Sequence, residues 1–336
     1  MIKKIKYFIS LLRVLNTSKL VNIFWLYYSY YNSLLSKKTK HKGEPWSLSV
    51  ETGTSCNLSC LECPSGQKQF TRPTGLLSYD HFKHIIDQQK KYLIWLILYF
   101  QGEPYLNKSF FKMVAYAHSQ KIFTSTSTNG HFLNPENAEK TVESGLDRII
   151  ISLDGLDQKT YEKYRVGGNF NQVKQGIQHL VKAKKKLKSA HPFIVVQFIV
   201  FKTNEHQLGL LKQLKKELKA DKIEIKSAQV YSKEDKNQLI PENSKHRRYK
   251  QSPDGSWEIK KKVPNKCKRM WRAAVITWDG KVVPCCFDKD ASYQMGNILE
   301  DSFHHIKNSS NYIQFRNQVF ENRSSIEICK NCSEGL

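Results

Sequence analysis

The stretch FTSTSTNGHFLNPENAEKTVESGLDRIIISLDG, residues 123–155, decides the fold. Phe123–Thr128 and Arg148–Leu153 are runs of β-branched and apolar residues of strand length. Between them Pro135–Ser144 has helical spacing, with Pro135 at the first helical position, where its missing N–H costs nothing. Strand, helix and strand in that order form a crossover unit, which joins parallel strands with right-handed chirality. The pattern continues on both sides. Ser47–Glu51, Leu93–Phe100, Phe193–Val200 and Lys222–Ala228 read as further strands. Tyr79–Lys90, Phe110–Ser119, Phe170–Lys188 and Glu205–Lys219 read as helices, the first N-capped by Ser78. Six strands alternating with helices predict an α/β fold built as a partial (β/α)6 TIM-like barrel, with its chemistry at the C-terminal strand ends.

The flanks of this core differ from it. Residues 1–43 carry two helical faces, Ile2, Ile5, Phe8, Ile9 and Leu12 on one and Leu20, Val21, Phe24, Trp25, Tyr28 and Tyr31 on the other. With Lys3, Lys4, Lys6 and Arg13 interspersed, this N-terminal helical extension fits either an amphipathic helix at a membrane surface or a helical pair packed on the barrel. Residues 231–264 are polar, Lys-rich and weakly periodic, and read as a linker with an exposed insertion. Residues 265–336 hold five of the eight cysteines and read as a small C-terminal α+β cysteine-rich cluster domain, which leaves 44–230 as the core.

Of the 336 residues 40% are hydrophobic, which excludes a wholly disordered chain and allows a sizeable core. The 54 Lys and Arg against 30 Asp and Glu give a formal charge of +24. That excludes an acidic, solvating protein and favours anionic partners, although a Lys-rich surface of biased composition gives the same number. No run approaches the roughly 18 apolar residues of a membrane span. The N-terminus starts like an export signal, but Arg13 and Lys19 interrupt it before any small-residue cleavage site. The cysteines are therefore expected in a reducing, cytoplasmic setting, where clustered thiols are metal ligands more often than disulfides.

Cys56-Asn-Leu-Ser-Cys60-Leu-Glu-Cys63 directly follows the first strand. Three thiolates at this spacing can converge on one [4Fe–4S] cluster and leave one iron open for a substrate or cofactor. A structural zinc site would want a fourth ligand nearby, and His81 is the first candidate. The motif resembles the signature of the radical S-adenosylmethionine (radical SAM) superfamily. Three further strings at strand ends carry the resemblance, which covers about residues 45–228. Gln101-Gly102-Glu103-Pro104 is similar to the family's Gly-Gly-Glu-Pro segment, with Gln101 in place of the first glycine; Thr126-Ser127-Thr128-Asn129-Gly130 and Ser152-Leu153-Asp154-Gly155 follow. The resemblance implies that S-adenosylmethionine chelates the open iron, that Gly102 and Glu103 bind its amino group, and that Thr128 and Ser152 contact its ribose and methionyl portions. It implies that Arg165 pairs with the cofactor carboxylate. It also implies a flavodoxin- or ferredoxin-type electron donor and a 5′-deoxyadenosyl radical that abstracts a substrate hydrogen.

Near the C-terminus, Asp279-Gly280 between apolar runs is a hairpin signal. A hairpin brings Cys267 and Cys285 toward one end, and Cys329-Lys-Asn-Cys332 is a close pair. Together they offer four thiolates, enough to saturate an auxiliary [4Fe–4S] cluster. The segment resembles the SPASM or shorter twitch extension of radical SAM enzymes, with Gly280 to Cys285 as its Gly-x-x-x-x-Cys element. A full SPASM extension carries more cysteines, so this is a departure toward the twitch type. Cys286 either packs or replaces Cys285 as ligand. By spacing alone, a four-cysteine zinc ribbon fits as well.

A saturated cluster suits electron transfer, so the resemblance implies net oxidation of the substrate. A sugar-like alcohol or aminocyclitol matches a one-cluster extension best, with a peptide, as in maturases, as the alternative. No base is identifiable; His304, His305 and Tyr231 are candidates by location only. A reading of another class is a basic zinc-ribbon protein that binds nucleic acid through Lys184-Lys185-Lys186 and His246-Arg247-Arg248. Those runs lack regular aromatic interleaving, which argues against nucleic acid.

Overall fold

The computed structural model describes residues 2–230, 239–253, 255–261 and 263–335. All six expected strands form: β1 (Ser47–Val50), β2 (Trp95–Ile97), β3 (Phe123–Thr128), β4 (Arg148–Ser152), β5 (Phe193–Val200) and β6 (Lys222–Ser227). Between them lie helices Tyr79–Gln89, Phe110–Ser119, Pro135–Glu143, Phe170–Lys186 and Leu211–Glu217. Strand β1 pairs parallel with β2, β2 with β3, β4 with β5 and β5 with β6. This is the α/β architecture of a partial (β/α)6 barrel. Six of the eight residues of β5 are buried, on both faces, as a parallel strand covered by helices requires. The helix expected from Glu205 opens instead as the 3-10 stretch Glu205–Leu210, where Gly209 lowers helix propensity.

The chain divides into two compact units. One holds Met1–Lys4, Cys56–Gln69 and Thr126–Lys262, the other Ile5–Ser55, Phe70–Ser125 and Val263–Leu336. In the first, β4, β5 and β6 run in register, with Ile149 opposite Ile194 and Val196 opposite Ile223. Leu58, Tyr164, Phe201, Val230, Leu239, Ile240 and Tyr249 form a buried cluster there. The stretch expected to be a linker thus contributes to a core. It also holds a hairpin, β7 (Tyr249–Gln251) against β8 (Trp257–Ile259). Tyr231 lies outside the described residues.

In the second unit the C-terminal segment adds β9 (Ala273–Ile276), β10 (Lys281–Val283) and β11 (Gly296–Asn297). Strand β9 pairs parallel with β1, Leu48 opposite Ala274, and antiparallel with β10. The cysteine-rich segment therefore extends the barrel sheet at its β1 edge. Its turn falls at Asp279-Gly280, where Gly280 has φ +85° and an added Cβ would lie 2.4 Å from Asn297 Oδ1. A buried ion pair supports the junction: Arg72 donates to both carboxylate oxygens of Glu51 at 2.9 and 2.6 Å, and Trp278 N donates to Glu51 Oε2 at 3.2 Å.

Helices α1 (Ile2–Arg13) and α2 (Thr17–Ser36) precede β1, and Asn16 Oδ1 caps α2 by accepting from Lys19 N at 2.9 Å. The side chains of Ile2, Ile5 and Phe8 lie outside the described residues. Among the described residues, no helix is long and apolar enough to cross a membrane.

Candidate functional site

The first three cysteines sit on a loop pinned by backbone hydrogen bonds. Ser59 N donates to Val166 O at 3.0 Å, and Gln67 Nε2 donates to Ser59 O and Cys60 O at 2.9 and 3.0 Å. Cys60 is buried, while Cys56 and Cys63 are partly exposed. Burial pushes the Cys60 thiol above its usual range, and the adjacent Arg165 charge opposes that shift. Arg165 Nη1 lies 3.7 Å from Cys60 Sγ.

Two strand-end motifs of the first unit meet this loop or support it. Asn129, at the end of β3, donates from Nδ2 to Asn57 Oδ1 at 2.7 Å and sits 3.7 Å from Cys56 Sγ. Thr128 Oγ1 accepts from Gly130 N at 3.0 Å, which shapes the turn after β3. Asp154, two residues past β4, is fully buried and sits 2.6 Å from both Arg165 Nε and Nη2. Its other oxygen accepts from Ile199 N at 2.6 Å. Ser152 is buried at the end of β4. Arg165, expected on a cofactor carboxylate, thus already has Asp154 and Cys60 as partners. Asn129 and Asp154 are functional candidates whose roles the sequence strings did not assign, although both lie inside them.

In the second unit, Gly102-Glu103 folds back onto the backbone just before Cys56. Glu103 N donates to Ser55 O at 2.8 Å. Gly102 has φ +70°, and an added Cβ would lie 2.3 Å from Gly53 O and 2.8 Å from Ser55 O. Glycine is obligatory here, for both torsion and space. Glu103 is 4% exposed, and its Oε1 accepts from Tyr105 N at 3.2 Å, which starts the 3-10 turn Pro104–Leu106.

The second unit also gathers the C-terminal cysteines. Cys267, Cys285, Cys329 and Cys332 line one cleft with Arg269, Arg323 and Phe287. Cys286 packs against Phe100, Val275 and Val283, while its thiol is hydrogen-bonded to that of Cys285 and lies near Arg269, at the margin of the cleft. Arg323 is 2% exposed; its Nη2 donates to Cys332 Sγ at 3.2 Å and to Glu334 O at 2.8 Å. Glu334 N also donates to Cys332 Sγ at 3.3 Å. Burial pushes the Cys329 thiol up to about 11 and raises Cys332, so ligation there must draw off protons. His304 and His305 are not in this cleft. His304 Nδ1 contacts Glu44 at 3.1 Å and His305 Nδ1 contacts Asp301 at 2.5 Å, both on exposed rings.

The donor sets fit iron–sulfur ligation. Each is made of cysteine alone, each lies beside a guanidinium, and a negatively charged cluster wants such cations and N–H donors. Among the described residues, no three His, Cys, Asp or Glu side chains are gathered tightly enough for a single metal ion. Thiolates around one tetrahedral zinc stand only about 3.8 Å apart, given a Zn–S bond of about 2.3 Å. A four-iron cluster places each thiolate on a different iron and spreads them further.

Residues 50–207 match the family model of the radical SAM superfamily, and residues 267–333 match that of SPASM, an iron-sulfur cluster-binding domain. The chain carries a radical SAM domain and a SPASM domain. The two matches imply that this chain uses S-adenosylmethionine and two [4Fe–4S] clusters, one that binds the cofactor and one auxiliary. This radical SAM chain is 27% identical over 297 residues to the tungsten-containing aldehyde ferredoxin oxidoreductase cofactor-modifying protein of Pyrococcus furiosus, covering 80% of this chain and 82% of that protein. Its fold is similar to that of BtrN in complex with AdoMet and 2-DOIA, with a TM-score of 0.54 and 20% identity over 86% of this chain and 93% of BtrN. It is also similar to Streptococcus suis SuiB bound to precursor peptide SuiA, with a TM-score of 0.61 and 14% identity over 91% of this chain and 74% of SuiB.

Proposed function

We propose that this radical SAM enzyme oxidises a sugar-like alcohol or aminocyclitol, removing two hydrogens from a carbinol carbon and its hydroxyl to leave a ketone. When bound, S-adenosylmethionine and its cluster supply a hydrogen-abstracting carbon radical, and the auxiliary cluster supplies an electron acceptor. One hydrogen leaves as an atom, the other as a proton and an electron. Cys56, Cys60 and Cys63 would hold the first cluster; Cys267, Cys285, Cys329 and Cys332 would hold the second. Gly102 and Glu103 would accept from the cofactor ammonium, and Thr128 and Ser152 would offer hydroxyls to its ribose and methionyl parts. Arg165, steadied by Asp154, would place positive charge beside Cys60 and the cofactor carboxylate.

The observation that carries the reading is the cleft lined by four thiols, those of Cys267, Cys285, Cys329 and Cys332. A cluster saturated by four cysteines has no iron free for substrate, which leaves electron transfer as its role. The complex of BtrN with AdoMet and 2-DOIA supports a small-molecule substrate. A peptide-modifying, maturase-type activity is the second reading, favoured by the likeness to SuiB with its precursor peptide. The division into residues 1–43, 44–230, 231–264 and 265–336, a cytoplasmic setting and a flavodoxin- or ferredoxin-type donor belong to the same proposal. The charge of +24 suits an acidic one-electron carrier.

The test is anaerobic turnover with a chemical reductant against panels of aminocyclitols, sugar alcohols and peptides. The reading expects 5′-deoxyadenosine in step with a small-molecule product lighter by two hydrogens. A product of unchanged mass, or turnover of peptides alone, contradicts it.

A further inference from the structure

Helix α2 is inside-out for a packed helix. Its buried positions are mostly polar: Lys19, Asn22, Leu26, Ser29, Tyr30 and Ser33. Lys19, Asn22, Ser29 and Ser33 are spent on nearby backbone. Lys19 Nζ donates to Val14 O and Lys121 O, each at 2.9 Å, and Asn22 exchanges two bonds with the backbone of Glu44 at 2.8 and 2.7 Å. Ser33 Oγ accepts from Lys40 N at 2.8 Å. The opposite face carries Leu20, Phe24, Trp25, Tyr28, Tyr31 and Leu35, all exposed, Phe24 at 61% and Leu35 at 84%. From Leu20 to Leu35 this is a continuous stripe about 22 Å long, at a rise of about 1.5 Å per residue. Its rings are ordered against one another, Phe24 on Tyr28 at 6.2 Å and Trp25 on Tyr28 at 5.8 Å.

The segment that bears the stripe carries one sign of charge, and the Glu44 carboxylate in the cavity beside Val21 and Trp25 is paired with Lys307. Residues 1–43 contain eight Lys and one Arg and no Asp or Glu. Arg13, Lys37, Lys38, Lys40 and Lys42 are exposed. Two cations sit over the rings, Lys42 Nζ 5.0 Å from Trp25 and Lys268 Nζ 5.7 Å from Tyr31. A soluble protein partner would be met by a rim of mixed charge with Lys depleted at its centre. An aromatic and leucine stripe with a Lys-rich rim instead matches the level of lipid headgroups, where Trp and Tyr rings and Lys side chains settle together.

We propose that α2 lies in the surface of an anionic bilayer, with Leu20, Phe24, Trp25, Tyr28, Tyr31 and Leu35 sunk among the acyl chains and the Lys rim on the headgroups. The helix lies along the surface and does not cross it. This rests on the exposed face and its charge, independently of the reaction catalysed.

The test is flotation of the full-length, cluster-loaded protein with vesicles of phosphatidylcholine alone or with roughly 30% phosphatidylglycerol, at low and high salt. Phe24→Ser/Tyr28→Ser/Tyr31→Ser removes the stripe, and Lys37→Gln/Lys38→Gln/Lys40→Gln removes rim charge; circular dichroism and iron content check that each variant folds. The expected result is binding to the anionic vesicles, lost in high salt and weakened by roughly tenfold or more in either variant. Wild-type protein that stays with the soluble fraction on anionic vesicles overturns the proposal. So does a dimer in solution that the stripe variant abolishes, which would assign the face to a second copy of the chain.

Discussion

Asp154 grips Arg165 at 2.6 Å inside the first unit, and the far side of the same guanidinium lies 3.7 Å from Cys60 Sγ. The cysteine loop and the end of β4 are thus one electrostatic assembly, in which a buried carboxylate holds a cation against a thiol.

Asp154→Ala leaves that cation uncompensated in a nearly dry site. The expected cost is about 3 kcal/mol of stability, the lower end for breaking a buried pair. Denaturant midpoints measure it. Asp154→Asn, which keeps the acceptor from Ile199 N but not the charge, should lose less.

Gly102→Ala forces a Cβ against Gly53 O and Ser55 O from a left-handed backbone. We expect S-adenosylmethionine binding to weaken by about tenfold or more, corresponding to about 1.4 kcal/mol, in a variant whose first cluster still loads. Gln101→Gly, which moves the string toward the family's own, should bind as wild type. Equilibrium dialysis of reconstituted protein compares them.

Cys285→Ser and Cys286→Ser separate ligand from packing residue. Cys285 lines the four-thiol cleft and Cys286 packs against Phe100, Val275 and Val283. Iron per chain should fall by about four in the first variant and stay unchanged in the second. The reverse pattern would move the ligand to Cys286.

Lys19 supplies a pH dependence. Burial lowers its pKa to about 8, against 10.5 for the free side chain. Between those values the unfolded chain holds a proton that the folded chain does not, so stability rises with pH across that window. Lys19→Met should lose this slope, leaving wild type to gain on the variant between pH 8 and 10.5. Urea midpoints at three pH values settle it; parallel slopes would contradict it.

Much of this architecture is legible because the burial environment leaves few choices. Strand β5 is apolar on both faces since helices cover both, and the strings around Cys56, Gly102, Asn129 and Asp154 stand at strand ends, where the barrel puts its chemistry. What local spacing cannot show is partnership across the chain. The pairing of β9 with β1 joins residues more than two hundred positions apart. The Asp154–Arg165 contact spans the short helix Gln158–Glu162, with no repeat to mark it. Periodicity identifies the face of α2 correctly but not its direction, because Lys19, Asn22 and Ser33 find backbone partners that only the fold provides. The hairpin β7–β8 is hidden in a Lys-rich stretch because its apolar anchors, Tyr249, Trp257 and Ile259, are too few for a periodic signal.

Iron and acid-labile sulfide per chain after anaerobic purification, in wild type and in Cys56→Ala/Cys60→Ala/Cys63→Ala, test the central claim of two clusters on two separate cysteine sets. The account predicts about eight irons in wild type and about four in the variant. Zinc in place of iron, unchanged in the variant, would contradict it and return the C-terminal cysteines to a structural ribbon.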